Sequence, residues 1–254
     1  MAFMKLLSEL VKLDAHWIPE GSGNSLYIRP TAMGVDPFLG VGPSQNAKLF
    51  IITCPVGPYY PSGFKPVKLY ADDKNVRAWH GGVGASKVGG NYAPSIAPQM
   101  AAHEKGCAQV LWLYPEDGEH VITEVGAMNL FVVMKTKDGN QTELITAPLD
   151  GTILPGVTRR SVLELARESG EYLVSERKLT MSEFVGAAKE GRIMECFGAG
   201  TAAVIAPVNS ILYRDESYDF PTGNDIGPIA KSFWDQISDI QYGRVEHEWS
   251  VVCK

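Results

Sequence analysis

A lysine, Lys87, stands in the segment Gly81-Gly82-Val83-Gly84-Ala85-Ser86-Lys87-Val88-Gly89-Gly90-Asn91-Tyr92, where five glycines leave the backbone almost bare. An amine in such a setting has room for a bulky planar partner lying along the chain. Desolvation by apolar neighbours would favour the neutral form that imine chemistry needs. The same string can also be a flexible loop carrying a solvated lysine. Other glycine-rich motifs do not fit it. A phosphate-binding loop places Gly before its lysine and Ser or Thr after it, but here the neighbours are Ser86 and Val88. A dinucleotide fingerprint needs glycine where Lys87 stands, and a G-x-S-x-G elbow fails at Val88. Ser175-Glu176-Arg177-Lys178 fits S-x-x-K but lacks the companion motifs and reads as a solvated strand.

The elements that must position these residues can be read from periodicity and breakers. Leu6, Leu7, Leu10, Val11 and Leu13 recur at helical spacing over residues 3–13, and Pro19 to Asn24 is a turn-rich break. Strand-like runs follow at Ser25–Arg29 and Lys48–Val56, then at Lys68–Ala71, Gln109–Tyr114, His120–Val125, Leu130–Thr136 and Glu143–Ala147. Lys137-Asp138-Gly139-Asn140 marks an antiparallel hairpin between the last two. Helices are expected at Ala93–Lys105, Arg159–Ser169, Thr180–Lys189 and Asp225–Gln241, the third opening on the capping box Thr180-x-x-Glu183. Hairpin strands interspersed with helices predict an α+β fold rather than alternating βαβ units. The rigid stretch Pro55 to Gly63 is the candidate connection between a leading piece and the main domain.

Composition narrows the function classes. The chain has 254 residues, is 45% apolar and 20% charged, and carries a formal charge of -6. That sign, with no basic cluster to offset it, argues against nucleic acid as a partner. Its apolar runs are too short to span a bilayer. Cys54, Cys107, Cys196 and Cys253 are far apart, with no CxxC or Cys/His spacing, so neither a structural zinc nor a disulfide framework is expected. No charged segment followed by an apolar core opens the chain, so Met1 to Lys5 is not read as a signal peptide. It reads as the middle of a helix without a cap, and the natural chain is expected to extend further toward the N-terminus.

Taken whole, Lys87-Val88-Gly89-Gly90-Asn91-Tyr92 resembles the cofactor-lysine segment of branched-chain amino-acid aminotransferases, members of the fold-type IV pyridoxal-phosphate enzymes. The likeness continues in order through Gln109–Tyr114, Thr123-Glu124-Val125-Gly126-Ala127-Met128-Asn129 and Leu154-Pro155-Gly156-Val157-Thr158-Arg159. It runs on through Val174–Arg177, Phe197-Gly198-Ala199-Gly200-Thr201-Ala202 and Asp239-Ile240-Gln241-Tyr242-Gly243. Ser25 to Pro30 resembles the family's small-domain substrate strand.

What the resemblance implies is specific. Lys87 would hold pyridoxal 5'-phosphate through an imine and then move a proton between the substrate Cα and the cofactor. Glu124 would face the pyridine nitrogen, and Tyr92 would hydrogen-bond the phenolic oxygen. Backbone N–H groups of Val157 and Thr158, at the start of a helix, would cradle the phosphate together with the Thr201 hydroxyl. Thr201 and Ala202 would receive the substrate carboxylate, while Tyr27 and Ala127 would shape the side-chain pocket and Arg29 would order its strand. The implied architecture is a small α/β domain over residues 1–56, a linker at 57–66 and a large pseudo-barrel domain over 67–254. The implied reaction is reversible amino transfer from leucine, isoleucine or valine to 2-oxoglutarate, in a homodimer, in the cytoplasm or a mitochondrion.

Three departures qualify that reading. Ala127 stands where many family members have Thr, leaving a slightly larger pocket without a hydroxyl. Ala203 and Ala206 stand where some mammalian members carry a redox-sensitive CxxC. The match also begins partway through the family's small domain, ahead of which those proteins carry a phosphate-clamping arginine and substrate-pocket aromatics. Two alternatives follow: another fold-type IV enzyme (a D-amino-acid aminotransferase or an aminodeoxychorismate lyase), or a non-catalytic remnant. Gly89-Gly90-Asn91-Tyr92 and Glu124-Val125-Gly126-Ala127-Met128-Asn129 favour the branched-chain group over the first, and intact Lys87, Glu124 and Thr201 argue against the second.

Overall fold

In the run Leu130-Phe131-Val132-Val133-Met134 every residue is buried, as happens in a strand covered on both faces. Alternate side chains serve different neighbours. Leu130, Val132 and Met134 join Leu111, Leu113, Ile122 and Phe184 in one core cluster. On the opposite face Phe131 stacks on Phe197 at 5.2 Å, and Phe197 in turn meets Phe233 at 6.2 Å. The computed structural model describes residues 2–21, 23–59 and 64–253. Of the connection expected at 57–66, residues 60–63 lie outside them.

The chain divides into two units, Met1–Ser62 with His247–Lys254, and Gly63–Glu246. In the first, helix α1 (Ala2–Leu13) precedes the antiparallel pair β1 (Ser25–Gly34) and β2 (Ala47–Val56). Asp14 accepts a 2.6 Å hydrogen bond from Thr53 Oγ1, which ties the end of α1 to β2. The loop between the strands is organised by Asp36, which accepts from Ser44, from Asn46 and from the Gln45 N–H.

The second unit contains β3 (Val67–Asp72), β4 (Gln109–Glu116), β5 (Glu119–Val125), β6 (Met128–Lys135), β7 (Thr142–Thr146), β8 (Leu173–Glu176), β9 (Ile193–Gly200), β10 (Val204–Tyr213) and β11 (Glu216–Asp219). Helices α2 (Ile96–Glu104), α3 (Val157–Ser169), α4 (Met181–Lys189) and α5 (Pro228–Gln241) lie between and after them. Pairing runs β10-β3-β4-β5-β6, and β9 joins β6 back to β10, closing the circuit as a barrel. β7 and β8 extend from β6, and β11 from β10. This is the α+β pseudo-barrel that the resemblance implies, with parallel steps at β10/β3, β3/β4 and β7/β8.

Several expected elements differ in detail. The helix expected from Ala93 starts with a 3₁₀ turn at Ala93–Ser95 and becomes α-helical at Ile96. The helix expected from Asp225 begins at Pro228, where a missing N–H costs nothing. Thr180 caps α4 as the capping box requires, accepting from the Glu183 N–H at 3.1 Å. Phe197-Gly198-Ala199-Gly200, for which the sequence reading gave no element, ends β9. A Cβ at Gly200 would come within 2.8 Å of Met128 Cγ, so the strand needs glycine where β6 passes over it.

Candidate active site

The loop that carries Lys87 is shaped by Asn91. Its Nδ2 donates to the carbonyls of Val83 and Ser86, both at 2.7 Å, tying the residues before the lysine to those after it. Gly84 has a steric reason to be glycine: a Cβ there would lie 2.6 Å from the Gly151 carbonyl oxygen and 2.8 Å from that of Thr152. The Lys87 side chain is exposed, and its Nζ lies 5.7 Å from the centre of the Tyr92 ring.

Glu124 lies near the end of β5 and is buried. Its Oε2 meets Arg77 Nε at 2.6 Å; its Oε1 accepts from the Leu154 N–H at 2.8 Å and from Asn129 Nδ2 at 3.1 Å. Burial pushes its pKa up to about 7, against the Arg77 guanidinium, the Leu154 N–H and the Lys87 ammonium, which all pull it down. The Lys87 amine is thus within electrostatic reach of the carboxylate. Arg77 does more than pair with Glu124. Its Nη1 also donates to Thr152 O at 3.0 Å and Gly84 O at 3.3 Å. One guanidinium therefore joins the Lys87 loop, the segment ahead of α3 and the β5 carboxylate.

On the far side of Glu124, Leu154-Pro155-Gly156 leads into α3, whose first residues are Val157 and Thr158. The leading N–H groups of a helix have no partner inside it, and they present a partial positive charge to an anion. Thr158 Oγ1 donates to Gly200 O at 3.2 Å, which brings the exposed turn Thr201-Ala202 beside this helix start. Ala127 is exposed in the two-residue turn between β5 and β6. Gly126, at φ +53, opens that turn. The turn is pinned from below by Trp112 Nε1, which donates to the Gly126 carbonyl at 2.9 Å.

Lys87, Tyr92, Glu124, Ala127, Val157, Thr158, Thr201 and Ala202 all belong to the second unit, and the contacts above knit their loops together. Tyr27 belongs to the first unit, on β1, where its hydroxyl accepts from Arg29 Nη2 at 3.3 Å. Arg77 and Asn129 are central to the arrangement but carry no role in the sequence reading. The strand register could have found Asn129, since a two-residue turn places it directly opposite Glu124. Nothing local marks Arg77, which follows Asp72-Asp73-Lys74-Asn75 and reads as one more solvated charge. Among the described residues no group of His, Cys, Asp or Glu could hold a metal ion.

Comparison with known proteins agrees with the motifs. The chain belongs to the amino-transferase class IV family, whose profile matches residues 2–211. It is 52% identical over 254 residues to a branched-chain-amino-acid aminotransferase of Dictyostelium discoideum, covering 99% of this chain and 66% of that protein. A cytosolic branched-chain-amino-acid aminotransferase of Ovis aries is 50% identical over 249 residues, covering 98% and 64%. The chain thus spans somewhat less than two thirds of the length of these curated relatives. In structure it is similar to the branched-chain amino acid aminotransferase of Thermobaculum terrenum in its PLP-form, with a TM-score of 0.73 and 26% identity, over 95% of this chain and 70% of that one.

Proposed function

We propose that this chain carries the catalytic centre of a branched-chain amino-acid aminotransferase, with pyridoxal 5'-phosphate on Lys87. The observation that supports it best is the convergence, inside one unit, of an amine, a buried carboxylate and a helix N-terminus, cross-linked by Arg77. This donor set fits the cofactor. Glu124 lies in the electrostatic field of Lys87, and α3 offers unpaired N–H groups beside the Thr201 turn for a phosphate.

When bound, pyridoxal phosphate supplies the electron sink for the bonding pair of the substrate's Cα–H. Lys87 would hold the cofactor and then move the proton between that carbon and the cofactor. Glu124 keeps a proton on the ring nitrogen, Tyr92 orients the phenolic oxygen, and Val157, Thr158 and Thr201 hold the phosphate. Thr201 and Ala202 would receive the substrate carboxylate, with Ala127 at its side chain. The amino group passes from leucine, isoleucine or valine to 2-oxoglutarate. The functional division is a small domain at 1–56, a linker at 57–66 and a large domain at 67–254. The enzyme works as a homodimer, in the cytoplasm or a mitochondrion, without nucleic-acid or membrane partners. No described helix is long and apolar enough to cross a membrane.

The test is an absorbance spectrum of the chain with pyridoxal phosphate, beside Lys87→Ala, before and after leucine. A visible band that requires Lys87 and shifts with leucine, but not with D-alanine, is expected. Soluble folded protein with no Lys87-dependent band would overturn the reading of this chain as a catalyst. A shift with D-alanine alone would redirect it to the D-amino-acid branch of the fold.

A further inference from the structure

Glu124 and the turn ahead of α3 are 30 residues apart in sequence, and three hydrogen bonds join them. Asn129 Nδ2 donates to Glu124 Oε1 at 3.1 Å and to the Leu154 carbonyl at 2.9 Å, while the Leu154 N–H donates to that same Oε1 at 2.8 Å. The other end of the Asn129 amide lies so close to Gly156 that a Cβ there would overlap Oδ1. Asn129 is 4% exposed and sits on β6 directly opposite Glu124. A single rigid amide therefore touches the β5 carboxylate, the backbone of Leu154 and the residue immediately before the first N–H groups of α3.

We propose that Asn129 is a positioning residue that fixes the spacing between the Glu124 carboxylate and the N-terminus of α3, so that a ligand with a ring nitrogen at one end and a phosphate at the other is held at both ends at once. This rests on the cofactor reading given above. The physical gain is preorganisation. A ligand anchored at one end meets its second anchor at high effective concentration only if the two are already at the ligand's own spacing. With Asn129 in place, the turn that leads into α3 cannot drift from Glu124 without breaking one bond of a buried amide besides the Leu154 N–H bond to Oε1. Gly156 is part of the same device, because only a residue without a side chain lets the turn close onto Oδ1.

The linkage makes a claim that a simple core amide would not. Dissociation constants are measured for three ligands on the full chain: pyridoxal phosphate, pyridoxal without its phosphate, and inorganic phosphate. Asn129→Ala is expected to weaken pyridoxal phosphate by about tenfold or more, while the two half-ligands each change by less than about twofold. Gly156→Ala disturbs the same contact from the other side and is expected to give the same pattern. The double variant N129A/G156A should be no worse than N129A, since the overlapping oxygen is gone. Gly156→Ala also decides the question if Asn129→Ala does not fold.

Unchanged pyridoxal phosphate affinity in these variants would overturn the inference. So would a loss that pyridoxal alone reproduces, which would place the effect at Glu124 only, or one that phosphate alone reproduces, which would place it at α3 only. A wild-type chain that takes up no pyridoxal phosphate would instead defeat the cofactor reading, and this inference with it.

Discussion

The Arg77–Glu124 pair takes two side chains, 3% and 2% exposed, out of water, at a cost that an ion pair by itself seldom recovers. Its geometry explains why it persists. Arg77 also satisfies the carbonyls of Gly84 and Thr152, and Glu124 also accepts from Leu154 and Asn129, so little polar capacity is left over. Arg77→Met should therefore cost about 3–5 kcal/mol of stability, because it strands a carboxylate. It should also move the Glu124 titration upward from its value near 7. Carbon-13 NMR of glutamate-labelled chain, with Glu124→Gln as the assignment control, reads that titration directly. Arg77→Lys should recover most of the titration but not the stability, since an ammonium lacks the fork that reaches both carbonyls. A Glu124 titration indifferent to Arg77 would show that the guanidinium is not its counter-charge. Glu124 is marked in sequence only by the resemblance of its Glu-Val-Gly string to the family's, while Lys87 stands out because glycines surround it. Arg77 does not, because its partners lie 7, 47 and 75 residues away and no local pattern records them.

At the scale of elements, legibility followed periodicity. Strands with continuous apolar runs, such as β4 and β6, and helices with caps, such as α4, can be read directly. β9 cannot, because its last residues are glycines required by Met128 on β6, a constraint set in another part of the chain. The start of α5 is likewise decided from a distance. Glu195, on β9 and 3% exposed, accepts from the N–H groups of Ile229 and Ala230 at 2.8 Å each. It caps the helix from across the fold, where a local Ser, Thr or Asp would ordinarily do so. Gly227 is its necessary companion, since a Cβ there would overlap the carboxylate. Glu195→Ala should destabilise the chain by about 1–3 kcal/mol, leaving a buried donor at Ala230 and a half-buried one at Ile229 without an acceptor. Glu195→Gln should cost less, because its amide oxygen can still accept. Urea melts of the three proteins provide the comparison, and equal midpoints would show that the cap does not contribute.

The whole molecule sets carboxylates of two kinds against each other, and that opposition shapes its response to pH. Burial raises Glu124 to about 7 from an ordinary 4.5, and it raises Glu195 despite the N–H groups of Ala230 and Ile229. Burial also acts on Glu143 and Glu176, but hydrogen bonds from Arg177 to the first, and from Arg167 and Arg159 to the second, hold both below the ordinary range. Between about pH 4.5 and 7 the folded chain binds more protons at Glu124 than the unfolded chain does, and Glu195 acts in the same sense above the ordinary carboxylate value. Stability from Glu124 therefore falls as pH rises through that window, and the share from Glu195 also falls as pH rises. Glu143 and Glu176 contribute in the opposite sense, and their share is lost as pH drops below the usual carboxylate range. The ligand-free chain should accordingly melt at a lower temperature at pH 7.5 than at pH 5.5. Glu124→Gln should lower the baseline by removing the partner of Arg77, yet flatten the decline between those two pH values. The slope is thus the informative quantity. Glu195 would keep part of the slope, but a slope left wholly unchanged by the substitution would mean that Glu124 is already ionised at pH 5.5 in the folded chain, with Arg77 outweighing burial.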